Sequence, residues 1–294
     1  MKFKLNITFF LLTIFIFSCS QKNNYGKPVA APSTITNRNS AGTKENNANP
    51  ETSDSVSDKL FVTNWKTLTK NFTTWYNYSY YNIHLSQDFI GLNIDSTRID
   101  KRAFLNQLMT GNVVAFKIKI VRGEPVYKLF KLNSDDESIR STIKQMASTE
   151  MTHYKMEGTE IPAFHFTDLN GNVYDKSSTK GKIVVLKCWF IHCVACVAEF
   201  PVLNKLVDDN KGRNDILFIS LALDDKRDLL KFLKTKEFKY AVVPQMKNYV
   251  VDKLNVTEFP THLLINKHGK IIKVVNRIED LAPFLKKELA TDTL

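Results

Sequence analysis

The sequence predicts an α/β fold, a mixed central sheet flanked by helices, preceded by a small α+β domain. Three observations point to it. Residues 183–190 (IVVLKCWF) form a near-continuous apolar, β-branched run, as expected of a central strand covered on both faces. Cys193-Val194-Ala195-Cys196 follows at once, and Val197, Phe200, Leu203, Leu206 and Val207 then recur at helical spacing. Further on, a second apolar run at 216–223 (ILFISLAL) is succeeded by a hairpin pattern at 263–275 with Lys267-His268-Gly269-Lys270 at its turn.

Composition bounds the rest. The chain has 294 residues, enough for one large domain or two small ones, and a formal charge of +11. Its Lys and Arg residues are scattered and make no stripe for nucleic acid, so no nucleic-acid partner is expected. Four cysteines exclude a disulfide-dense scaffold. Residues 1–18 begin with Lys2 and Lys4 and continue as an apolar stretch too short to span a bilayer comfortably, the pattern of an export signal. Ser18-Cys19 closes it and resembles the lipobox of bacterial lipoproteins, which implies cleavage before Cys19 and lipidation there. A plain signal peptide or signal anchor is the alternative. Residues 19–57, rich in Asn, Ser, Thr, Ala and Pro, lack apolar periodicity and read as a flexible tether.

Residues 58–155 read as a small mixed helix–strand domain. Phe61, Trp65, Leu68, Phe72, Trp75, Tyr76 and Tyr80 recur at helical steps. Residues 89–92 look like a short buried patch, residues 99–110 like a helix with Gly111 as its C-cap, and 113–121 and 126–132 like strands joined at Gly123. Residues 139–146 suggest a short helix. The aromatics could form a peptide-binding face; a core and a seam against the next domain is the plainer reading.

Residues 156–294 carry the chemistry. An edge strand and turn at 161–171 precede the central strand, a helix is expected over 228–236, a strand over 240–243 and a closing helix over 280–289. The first cysteine of the motif lies where a buried strand meets a helix N-terminus, whose unpaired N–H groups and dipole favour a thiolate over a thiol. A thiolate is the nucleophile in thiol–disulfide exchange. Cys193 is therefore the expected attacking residue and Cys196, one turn on, the resolving one. A structural zinc reading would need two more ligands; no second CxxC exists, and His192, His262 and His268 fit no compact finger. No metal and no cofactor is expected.

The segments PAFHFTDLNGNVY, KGKIVVLKCWFIHCVACVAEFP, ILFISLALDD and FPTHLLINKHGKII, in that order, resemble the TlpA/ResA-like branch of the thioredoxin superfamily, with its AhpC/TSA-type domain, in the lipoprotein form of Bacteroidota. The resemblance covers about residues 158–290. It implies a thioredoxin-like fold and a thiol–disulfide oxidoreductase that reduces disulfides of exported proteins, fed by a membrane-bound electron donor and anchored by lipid in the cell envelope. It implies that Pro260 is a cis-proline facing the disulfide, with Thr261 beside it. It also implies that Glu199 is the acid near the active site, where a raised pKa would let it relay a proton to or from Cys196. Trp189 matches the aromatic beneath the site. His192 replaces a common Trp before the first cysteine and could favour the thiolate as an imidazolium. Cys188, on the core strand, reads as an inert buried thiol. Two rivals stay open. A thiol peroxidase would want a PxxxTxxC arrangement, but Leu186 and Phe190 occupy the Pro and Thr places. A non-catalytic binding or assembly factor would use CxxC only to hold the helix end.

Overall fold

A computed structural model describes residues 65–291, all within the compact unit Thr52–Leu294. The export signal, Cys19 and the tether lie outside the described residues. The aromatic helix expected from residue 61 onward is interrupted by a turn at 69–71; Asn71 then caps a new helix, α1 (Phe72–Asn82), its side-chain oxygen accepting from the Thr74 N–H at 2.9 Å. Strands β1 (Ile90–Leu92) and β2 (Arg98–Ile99) lead to helix α2 (Lys101–Met109), capped by Asp100. Gly111 follows at φ +71, where an added Cβ would come within 2.6 Å of the Lys144 side chain. Strands β3 (Val113–Val121) and β4 (Glu124–Lys131) form the hairpin, turning at Arg122-Gly123, both with positive φ.

Helix α3 (Glu137–Met156) is 20 residues long, well beyond the short helix the sequence suggested. Its apolar stripe is Ile139, Ile143, Ala147 and Met151, but Glu150 and His153 are buried on it too. Lys101 Nζ lies 3.1 Å from Glu150 and permits that burial, so polar residues continue a face that reads as apolar only in its first half. The four-stranded sheet has the order β2-β1-β4-β3, with β1 parallel to β4. Phe104, Leu105, Phe116, Leu129 and Ile139 are wholly buried in the core between it and the helices.

The second region opens with a separate two-stranded hairpin, β5 (His165–Thr167) and β6 (Val173–Asp175), rather than an edge strand of the main sheet. Asp168 organises its turn, accepting from the backbone N–H groups of Asn170 and Asn172 and from the Asn172 amide. There follow β7 (Ile183–Trp189), α4 (Val194–Ala198), α5 (Phe200–Asp209), β8 (Ile216–Ala222), α6 (Lys226–Leu233), β9 (Ala241–Val243), a π-helical turn (Tyr249–Lys253), β10 (Thr261–Ile265), β11 (Ile271–Val275) and α7 (Ile278–Thr291). The five-stranded sheet has the order β11-β10-β7-β8-β9. Strands β7, β8 and β9 are parallel, β10 is antiparallel to β7 and β11 antiparallel to β10, giving the mixed sheet of a thioredoxin-like fold.

Every residue of β7 is buried. By the alternation of a strand, Ile183, Val185, Lys187 and Trp189 face one side and Val184, Leu186 and Cys188 the other. The first set packs with Cys193, Cys196, Phe200 and Leu203; the second with Phe166, Val250 and Leu254. The sheet thus gives α4 and α5 one whole face.

Phe104→Ala should destabilise the protein by about 3–5 kcal/mol, the usual cost of emptying a fully buried aromatic site. Urea unfolding followed by aromatic fluorescence measures it; a loss under about 1 kcal/mol would mean that the core between α2 and its sheet is loosely packed.

Candidate active site

The chain leaves β7 at Trp189 and enters α4 through Phe190, Ile191, His192 and Cys193. Two hydrogen bonds fix this turn: the Ile191 N–H donates to the Asp224 carboxylate at 2.8 Å and the Leu223 N–H to the Trp189 carbonyl at 3.0 Å. Cys193 is the N-cap of α4, and its Sγ accepts from the Cys196 N–H at 3.2 Å. Cys193 and Cys196 form a disulfide, with Cα atoms 5.2 Å apart. Cys196 is wholly buried while Cys193 keeps 8% of its surface. An incoming sulfur therefore meets Cys193 first. His192 and Val194 are exposed on either side of it.

Glu199 marks the junction of α4 and α5, where Pro201 occupies the first turn of the second helix. Its carboxylate is held from three elements. Lys187 Nζ on β7 lies 2.5 Å from Oε2, His262 Nε2 on β10 lies 3.0 Å from the same oxygen, and the Ile278 N–H at the start of α7 donates to Oε1 at 3.2 Å. Burial opposes ionisation, but the His262 hydrogen bond and the Lys187 ammonium outweigh it and hold the carboxyl at about 2. The expectation of a raised pKa is thereby overturned: at neutral pH Glu199 has no proton to give. The cause is the partner set, since a carboxylate between two buried donors stays charged. Burial pushes Lys187 and His262 down from their ordinary values. With Glu199 ionised and His262 neutral, the imidazole proton must sit on Nε2. Its Nδ1 is then an acceptor, buried and without a hydrogen-bond partner.

The Phe259–Pro260 bond is cis. The register pairs Thr261 with Cys188, which sets Pro260 beside the end of β7, and the Phe259 ring meets Phe190 at 5.4 Å. Asn276 Nδ2 donates to the Pro260 carbonyl at 2.9 Å and to Thr261 Oγ1 at 3.0 Å, and Thr261 in turn donates to the Glu258 carbonyl. Trp189 is buried against Phe200 and Phe238 under α4 and α5, its indole N–H unpaired. Cys188 points to the opposite face of the sheet, where burial pushes its thiol up to about 12. Among the described residues no group of His, Cys, Asp and Glu has the geometry of a metal site.

Lys187 and His262 were not recognised as site residues from sequence. One signal was available: a Lys inside a run otherwise apolar has to find a counter-charge within the core. His262 needed the fold, because it lies 63 residues from Glu199.

The fold and the paired cysteines together define a dithiol–disulfide oxidoreductase of the thioredoxin superfamily. In the reduced form, Cys193 attacks one sulfur of a disulfide, a mixed disulfide forms and one thiolate leaves. Cys196 then attacks the Cys193 sulfur, the second thiol leaves, and two electrons have passed to the substrate. Comparison with known proteins agrees. The Redoxin family model matches residues 156–283. Thiol-disulfide oxidoreductase ResA of Bacillus thuringiensis is 33% identical over 138 residues, covering 45% of this chain and 79% of that protein. The Bacillus subtilis ResA is 32% identical over 120 residues, covering 40% and 66%. The thioredoxin domain of a thiol-disulfide oxidoreductase from Bacteroides vulgatus is 27% identical, covering 45% of this chain and 96% of that one, with a TM-score of 0.40. The chain belongs to the ResA-like family of thiol–disulfide oxidoreductases.

Lys187→Met leaves the buried Glu199 carboxylate without its ammonium and should cost about 3–5 kcal/mol at pH 7. Because Glu199 titrates at about 2 when folded and near 4.3 when unfolded, its stabilising share is whole above the unfolded value and is lost as pH falls through the folded one. The deficit of the variant should accordingly narrow between about pH 4 and pH 2. Urea unfolding across that range tests this; a pH-independent deficit would show that Lys187 acts by packing alone.

Proposed function

We propose that the protein is a disulfide reductase of the cell envelope, anchored through a lipid on Cys19 and acting on exported proteins that carry disulfides. The observation that supports it best is the placement of Cys193 as the N-cap of α4, slightly exposed, with Cys196 buried behind it. That asymmetry makes one sulfur the entry point and the other the exit. The export signal ending in Ser18-Cys19 supports the envelope setting, and the thiol–disulfide oxidoreductase activity of the ResA relatives supports the chemistry. No helix among the described residues is long and apolar enough to cross a membrane. In this reading the anchor is the lipid. Reducing equivalents come from a membrane-bound dithiol donor, and the clients are an apocytochrome, another exported protein or an envelope enzyme.

Cys193→Ser should abolish protein-disulfide reduction while leaving the unfolding midpoint close to that of the reduced wild type. Cys196→Ala should accumulate a mixed disulfide between Cys193 and the client, visible as a band on a non-reducing gel and identifiable by peptide mass. Persistent reductase activity in the serine variant would reject Cys193 as nucleophile. Radiolabelled palmitate that failed to enter the full chain, or entered a Cys19→Ala variant equally, would reject the anchor.

A further inference from the structure

Beside the redox centre lies a cavity of about 410 Å³, within the size range of ligand sites. Its two walls come from different regions. Tyr76 and Tyr80 of α1 and Met146 of α3 form one; Glu258, Phe259 and Asn276 form the other. These last three belong to the cis-proline segment: Phe259 precedes Pro260, and Asn276 holds the Pro260 carbonyl at 2.9 Å. The Phe259 ring also touches Phe190, whose carbonyl accepts from the Cys193 N–H at 3.1 Å. Through Phe259 and Phe190 the cavity wall is thus in contact with the turn that presents Cys193.

The wall contributed by the small α+β region is built to be held still and left open. Phe72, Tyr76 and Tyr80 form a row with centroid spacings of 5.3 and 6.4 Å. Tyr76 and Tyr80 keep 41% and 47% of their surface, large for aromatics that border a cavity. The Arg277 guanidinium packs 5.4 Å from the Tyr80 ring and is itself fixed by Asp280 at 2.9 Å. Gln145 on α3 donates to Glu258 at 2.9 Å and ties the two walls together. The charges select the occupant. Asp280 is matched by Arg277 and Glu150 by Lys101, which leaves Glu258 as the carboxylate on this lining without an ion pair among the described residues. A small anion would face that carboxylate; a neutral or basic polypeptide would not be opposed by it.

We infer that this cavity is the docking cleft for the client polypeptide, taking an aliphatic or aromatic side chain next to the client's reactive cysteine, and that the small α+β region is a specificity element. The inference rests on the reading of the protein as a reductase of polypeptide disulfides. Aromatic platforms suit such a task, because they supply contact area at low entropic cost.

The test uses the full chain, reduced, and two synthetic peptides, one with Leu and Phe flanking its single cysteine and one with Gly. Each cysteine is capped as a mixed disulfide with thionitrobenzoate, whose release is read by absorbance. The wild-type protein should react about tenfold faster with the apolar peptide, the size expected for burying part of one such side chain. That ratio should fall toward one in Met146→Trp, which fills the cavity, and in the double variant Tyr76→Ala/Tyr80→Ala, which strips one wall without entering the core. A wild-type ratio near one, or a ratio retained in both variants, would overturn the proposal. A wild-type protein that reacted with neither peptide would instead bring down the reductase reading itself.

Discussion

An ammonium group with no exposed surface sits in the middle of the central strand, and the arrangement of the site depends on how that charge is met. Lys187 occupies the position on β7 that faces the CxxC helix. Left alone it would be intolerable in an apolar core. Glu199 meets it from the junction of α4 and α5, and His262 meets the same carboxylate oxygen from the neighbouring strand. One buried carboxylate thus ties the active-site helix to β7, to β10 and, through Ile278, to the start of α7. Removing any partner leaves another unsatisfied, which is why the network fixes the angle at which Cys193 and Cys196 are presented more firmly than apolar packing alone would.

That network also explains what could and could not be read from the chain. The strand order around the motif was legible because β7, β8 and β10 are apolar runs of strand length and the motif lies at a strand–helix junction. The cysteine pair was legible because two sulfurs one turn apart have few structural uses outside zinc and redox chemistry. The protonation of Glu199 was not. Its position in the sequence says that it is near the site, but the sign of its shift is set by Lys187 and His262, which arrive only through strand register. Helix α3 failed for a related reason. Glu150 breaks the apolar stripe on paper and continues it in the fold, because Lys101 neutralises it. In both cases a buried ion pair made a charged residue behave as core.

The two cysteines next to one another in sequence space, Cys188 and Cys193, show how little of reactivity is intrinsic to the thiol. Cys188 lies on the face of β7 away from the helix, and burial outweighs the charge of Lys187 and drives it toward the neutral form at any physiological pH. Cys193 leaves the same strand five residues later, but at a helix N-terminus and partly open to solvent. The alternation of a β-strand separates them: residues of even number on β7 face Phe166 and Val250, and those of odd number face the active-site helix.

The joint between the two regions follows the same economy of charge. Arg277 stands one residue before α7 and reaches across to the Tyr80 carbonyl and ring, while Asp280 accepts from Ser86 and Arg277. Arg277 is also only one residue from Ile278, whose N–H holds Glu199. The segment 276–280 therefore contacts the cis-proline loop through Asn276, the buried acid through Ile278, the aromatic helix through Arg277 and the stretch just after that helix, at His84 and Ser86, through Asp280. Because these contacts share one short stretch of backbone, the position of α1 cannot shift far without disturbing the loop that faces the disulfide. The region that the sequence reads as a core and a seam against its neighbour is, by this linkage, tied to the segment that holds the redox site.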